Sequence, residues 1–162
     1  MVKLAPLTPE EHRELLDSSK FRHLVICEYG PWRLYLAADQ RYLGRAYAWL
    51  AARHEDFHRL EDLYTEESEK LQDLMARYSA AVKTLWGSDF VNYAWLGNEF
   101  HLHRGHGHMH LIPRYEAAPE FGGRAFPDYR FGKNYAPYEK YEPPEELLFA
   151  IRDALKAKIG LG

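Results

Sequence analysis

Apolar positions recur in two rhythms along this chain, and the switches between them mark the elements. Thr8-Pro9-Glu10-Glu11 supplies a capping residue, a proline at the first helical position and a glutamate three residues after the cap, so a short helix is predicted to end near Lys20. His23 to Tyr29 is rich in Leu, Val and Ile, Gly30-Pro31 breaks the run, and Trp32 to Leu36 alternates as a strand does, which predicts a hairpin. Asp39-Gln40 and Gly44 bracket a second turn, and Ala46 to Ala52, with Tyr47 and Trp49, reads as a third strand. From Thr65, the residues Leu71, Leu74, Met75, Tyr78, Val82, Leu85 and Trp86 fall at three- and four-residue steps, tracing one face of the longest helix, which Gly87 ends. Asp89 to Trp95 then reads as a strand running into Gly97-Asn98, and a histidine-rich segment forms the next strand, up to Pro113.

Residues 116–143 carry proline, glycine and many aromatics with no lasting period, which predicts an ordered but irregular excursion. A last helix over 144–160 starts at Pro144-Glu145-Glu146, places Leu147, Leu148, Ile151, Leu155 and Ile159 on one face, and closes at Gly160. Strands joined by short turns and interrupted by one long helix favour an α+β fold with an antiparallel sheet over a doubly wound one. With 162 residues, a single domain over 1–162 is expected.

Composition narrows the classes. Hydrophobic residues make up 46% and charged residues 28%, as in an ordinary globular protein. A formal net charge of −3 argues against broad attraction to nucleic acid or an anionic membrane, so neither is an expected partner. Cys27 is the sole cysteine, which excludes an intramolecular disulfide and a cysteine-based zinc cage and fits a cytoplasmic setting. No apolar span reaches membrane length, and the N-terminus turns polar before a signal-peptide core forms.

Five of the nine histidines fall between His101 and His110, and His106, His108 and His110 alternate strictly. In a strand that spacing puts the three on one face, about 6.6 Å apart from one to the next, with Met109 and Leu111 turned to the core. A phosphate ester needs a nucleophile usable at neutral pH and donors that steady the charge on its oxygens. Imidazole supplies both. The same alternation also suits a metal-binding β-protein using the triplet as zinc, copper or iron ligands, although no carboxylate sits within it.

His106-Gly107-His108-Met109-His110-Leu111-Ile112-Pro113-Arg114 resembles the histidine-triad (HIT) signature, three histidines alternating with apolar residues and followed by two more. Gly44 to Glu67 resembles the family's strand, basic residue and following helix entry, while Val91 to Asn98 and the tail with Phe126, Asp128, Gly132, Asn134 to Tyr138 and Pro144-Glu145-Glu146 are similar to its diadenosine polyphosphate hydrolase-like members. The resemblance implies an antiparallel sheet of about five strands with one long and one C-terminal helix, completed by pairing into a homodimer. It implies His108 as nucleophile on the α-phosphorus of a dinucleoside polyphosphate or nucleoside phosphoramidate, giving a nucleotidyl-histidine that water or another acceptor resolves. His106 and His110 would be flanking donors; Asn98, Arg45, Arg114, Asp39 and Gln40 would bind the substrate; no metal or other cofactor is implied. A HIT protein that binds nucleotides with little turnover is the remaining alternative.

This chain departs from the pattern in three places. Arg45 stands where many members carry a fourth histidine, Asn98 lies eight residues before His106 rather than four, and Gly107 replaces an apolar residue. The second departure implies an extra loop, Glu99 to Gly105, bringing His101, His103 and Arg104 towards the site. His54 and His58, four apart, read as a solvated pair or a metal pair. Trp32, Tyr35, Tyr47 and Trp49 read as core or as a base pocket, and Tyr129 to Tyr141 as a lid, a dimer surface or packing.

Overall fold

The computed structural model describes residues 7–53, 57, 59–102 and 107–160. Thr8 caps helix α1 (Pro9–Asp17): its Oγ1 accepts from the Glu11 amide at 3.2 Å while the Glu11 carboxylate accepts from the Thr8 amide at 2.8 Å. The helix does not run on to Lys20. Ser18 adopts extended backbone and donates its hydroxyl to the Leu15 carbonyl at 2.8 Å, competing with the helical ladder, and a one-turn helix α2 (Ser19–Arg22) follows.

Strands β1 (Val25–Tyr29), β2 (Trp32–Leu36), β3 (Ala46–Leu50), β4 (Phe90–Trp95) and β5 (His108–Arg114) form one sheet in the order β1-β2-β3-β5-β4, each pair antiparallel. Helix α3 (Thr65–Trp86) carries the chain from β3 to the edge strand β4, and β5 returns between them. Helix α4 (Glu145–Ile159) packs beside α3 and over β1. Third-strand pairing stops at Leu50, and the excursion holds one short hairpin, β6 (Glu120–Phe121) with β7 (Arg124–Ala125), that no periodicity announced.

Side chains alternate across the sheet as strand geometry requires. Ala46, Ala48 and Leu50 on β3 and Met109 and Leu111 on β5 pack with Leu71, Leu74, Tyr78 and Val82 of α3 and Ile151 and Leu155 of α4. The small alanines let α3 sit close. Gly44, at φ +86°, opens β3 where a Cβ would come within 2.6 Å of the Trp86 ring, so glycine is demanded by both backbone and space. The opposite face carries Tyr47, Trp49, His108 and His110. Helix α1 covers one end of it, through Trp49 to His12 and Arg33 to the Leu16 carbonyl. The excursion covers the other, through Arg114 to Asp128. Among the described residues, no helix is long and apolar enough to cross a membrane.

Candidate active site

His108 opens β5, and the register sets it opposite Trp49, with His110 opposite Tyr47 on one side and Ala94 on the other. Both imidazoles are largely buried, at 8% exposure, and their centroids lie 4.8 Å apart. Aromatic rings wall them. Tyr47 stands nearly perpendicular to both, with centroids 5.5 Å from His108 and 5.1 Å from His110, and Trp49 lies parallel to His108 at 5.3 Å. Met109 and Leu111 point into the core, as the alternation predicts. Gly107 donates its amide to the Phe57 carbonyl at 2.7 Å, tying the start of the strand down.

His106 lies outside the described residues, as do His103, Arg104 and Gly105 of the expected loop and the His54 and His58 pair. Asn98 is exposed on a 3-10 turn, Gly97–Leu102, that follows β4.

Arg45 sits one ring away from the histidines. Its guanidinium carbon is 5.7 Å from the Tyr47 centroid and 5.5 Å from that of Tyr138, and its Nη1 pairs with Asp39 Oδ2 at 2.7 Å. The same Nη1 donates to the Tyr138 hydroxyl. Asp39 is engaged on four sides, by Arg45, by the Tyr138 hydroxyl at 2.7 Å, and through Oδ1 by the amides of Arg41 at 3.1 Å and Tyr141 at 3.0 Å. Gln40 is wholly buried and clips the turn: its Nε2 donates to the Ala37 and Arg45 carbonyls and its Oε1 accepts from the Gly44 amide. Burial, then the bond to Asp39, raises the Tyr138 pKa, so the hydroxyl stays protonated. Burial also raises that of Tyr47, against the opposing pull of Arg45.

Arg114 shares a strand face with His108 and His110 but turns to the tail. Its Nε and Nη2 grip Asp128 at 2.7 and 3.1 Å, Nη1 donates to the Lys133 carbonyl and Nη2 to that of Arg130, with side-chain exposures of 4% and 1% for the pair. The structure therefore brings together His108, His110 and Arg45, holds Arg45 with Asp39 and Gln40, and engages the Arg114 guanidinium elsewhere.

Two contributors escaped the sequence reading. Tyr138 lay in a stretch read as a lid, a dimer surface or packing, and no local signal pairs it with Asp39. His12 was not singled out, although its spacing with Leu16 on α1 marks the inner face, where both are buried. Among the described residues no three His, Cys, Asp or Glu side chains converge as a metal site would require.

No protein-family model matches the chain, and no curated protein sequence does. Solved structures do. A histidine triad protein from Bradyrhizobium japonicum superposes with a TM-score of 0.61 at 20% identity, over 88% of this chain and 96% of that one. A hypothetical histidine triad nucleotide-binding protein from Sulfolobus tokodaii gives 0.60 at 15%, over 85% and 83%. A zinc-bound histidine triad family protein from Mycobacterium smegmatis gives 0.56 at 16%, over 85% and 84%. The fold is that of the histidine-triad proteins: an α+β unit built on a five-stranded antiparallel sheet, here with paired histidines on the interior strand β5.

Proposed function

We propose that this chain is a HIT-type nucleotide hydrolase or nucleotidyl transferase, cleaving the α-phosphate bond of dinucleoside polyphosphates or nucleoside phosphoramidates through a nucleotidyl-His108 intermediate. The observation that carries the reading is the pair His108 and His110, side by side on one strand face in an aromatic niche. The Nδ1 atoms of both rings are buried, and Nε2 is the nitrogen assigned here to the substrate.

Nε2 of His108 attacks the α-phosphorus in line with the departing group. The P–N bond forms as the bond to the leaving oxygen or nitrogen breaks, the electron pair goes to that atom, and His110 or His106 gives it a proton. The His108 ring keeps its Nδ1 proton and is cationic while it carries the nucleotide. Water, or another acceptor, then attacks phosphorus, the P–N pair returns to Nε2, and the acceptor's proton restores the flanking histidine. Arg45 stands behind Tyr47 as half of an ion pair with Asp39, the proposed substrate-side donor of that pair, and Asp39 and Gln40 act by holding the Arg45 turn. Asn98, on the turn after β4, is the proposed phosphate contact from the loop side, and Arg114 acts at one remove by fixing the tail. The sheet edge at β4, where Phe90 and Tyr93 are exposed, is the proposed pairing edge of a homodimer, and the cytoplasm is the proposed setting.

The test is a substrate panel read by product mass. Diadenosine polyphosphates and adenosine phosphoramidate are expected to release AMP with wild-type protein and not with His108→Ala. AMP binding without turnover would favour a binding-only protein. The zinc-bound neighbour makes elemental analysis a necessary companion: one tightly held transition metal per chain, with activity abolished by chelators, would overturn the metal-free route.

A further inference from the structure

Three rings form a line from the N-terminal helix to the proposed nucleophile. Trp49 lies within 6° of parallel to the His108 imidazole, directly opposite it across the β3–β5 ladder, with centroids 5.3 Å apart. The indole is held from its other side: its Nε1 donates to His12 Nε2 at 3.0 Å, and the His12 ring is wholly buried beneath α1, 18° from parallel to the indole. A ring nitrogen that accepts this hydrogen bond carries no proton, so the bond specifies a neutral His12.

An indole face interacts modestly with a neutral imidazole and more strongly with a cationic one, because the ring quadrupole presents its negative face to the charge. His108 is cationic in two states: when protonated, and when bonded to phosphorus.

We propose that His12 and Trp49 are positioning residues for His108: His12 fixes the indole, and the indole fixes the plane of the imidazole and stabilises its positive charge. The nucleotidylated half of this inference rests on the proposed function; the protonated half stands without it. Other groups facing the imidazole among the described residues act differently. Tyr47 presents its ring nearly perpendicular to His108, His110 neighbours it on the same strand at 4.8 Å, and β4 contributes Ala94 opposite His110. Arg45, behind Tyr47, opposes a second cation, but it is paired with Asp39 and held by Tyr138. Helix α1 contributes His12, separated from His108 by the indole. The stacked indole face is the neighbour that His12 holds in place, and it favours a charged His108.

The test is an NMR titration of the His108 ring in substrate-free protein, comparing wild type with Trp49→Leu, Trp49→Phe, His12→Leu and His12→Gln. Trp49→Leu is expected to lower the His108 midpoint by roughly half to one pH unit, and Trp49→Phe by less. His12→Leu is expected to lower it partway and to move the Trp49 indole N–H resonance upfield as its hydrogen bond is lost. His12→Gln, whose amide oxygen accepts the same bond, is expected to restore both. An unchanged midpoint in a folded Trp49→Leu protein overturns the inference. If that variant does not fold, Trp49→Phe and the His12 pair decide it: wild-type midpoints in both Trp49→Phe and His12→Leu overturn it equally. A role limited to walling a base pocket would instead raise KM for nucleotides and leave the substrate-free titration alone. Labelling with nucleotide marked at the α-phosphate is run alongside. A wild-type protein that forms no labelled histidine overturns the proposed reaction and leaves the titration standing.

Discussion

Tyr138 donates its hydroxyl to Asp39 Oδ2 at 2.7 Å, joining residues 99 positions apart. With the Tyr141 amide on Oδ1 of the same carboxylate and the Gln40 amide on the Tyr141 carbonyl at 2.7 Å, this stitches the tail to the turn before β3. The carboxylate at the centre also neutralises Arg45, whose charge would otherwise lie buried one ring from the histidines. Tail, turn and guanidinium are one unit.

Removing different members of that unit has graded costs. Tyr138→Phe deletes a hydroxyl and leaves Arg45 and Asp39 paired, so a loss of about 1–2 kcal/mol is expected. Asp39→Ala strands a buried guanidinium and is expected to cost about 3–5 kcal/mol. Urea unfolding measures both, and equal costs would refute the ordering.

Gly44→Ala tests the close approach of α3 to the start of β3. At φ +86° the alanine is strained, and its methyl meets the Trp86 ring, which must shift. A loss of about 1–3 kcal/mol from the backbone alone is expected, with a further loss from the displaced ring, visible as a lower Tm. Wild-type stability would mean that the turn tolerates a different path.

The residues explain which parts of this fold were legible. Leu71 to Trp86 repeated often enough to reveal α3, and strict alternation placed His108 and His110 on one face with Met109 and Leu111 on the other. Such patterns are local. Ser18 broke α1 through one side-chain bond that competes with propensity, and β6 with β7 are too short to show a period. Asp39 and Gln40 read as turn residues with a substrate role; their polar atoms turned out to be taken by Arg45, Tyr138, Tyr141 and the turn itself, partners set by tertiary packing. Arg114 was legible beside the histidines, but its partner Asp128 comes from the tail and is set by tertiary packing. The Trp49 bond to His12 likewise joins α1 to β3, which no spacing within either element encodes.

The alkaline limb of stability should carry two signatures. Burial, and after it Glu28, pushes the Cys27 thiol from 9.0 up to about 11. The folded state holds its proton more tightly than the unfolded chain does. Stability from this group is therefore fully present below pH 9.0 and lost as pH rises to about 11. Tyr138 adds a second loss of the same sign above the ordinary tyrosine pKa. Unfolding at stepped pH is expected to show a decline across this window that Cys27→Ala reduces, and native Cys27 is expected to resist alkylation at pH 8 until the protein is denatured. Rapid alkylation of the native protein would contradict the burial.

The two histidines of the niche should separate by leaving group. His108 makes a bond to phosphorus whatever departs, so His108→Ala is expected to abolish turnover of every substrate. His110 is one of the two histidines proposed to give a proton to the departing atom, and the donor's contribution is worth roughly 10²–10⁴ in rate when that atom leaves poorly. An aryl ester of AMP with an acidic phenol departs without needing that proton. His110→Asn is therefore expected to lose most of its activity on adenosine phosphoramidate and on diadenosine polyphosphates at pH values where the leaving group must be protonated. It is expected to retain most of it on the activated aryl ester. Equal losses on both substrate types would assign His110 to holding the phosphate, and full activity of His110→Asn on all of them would remove it from the reaction.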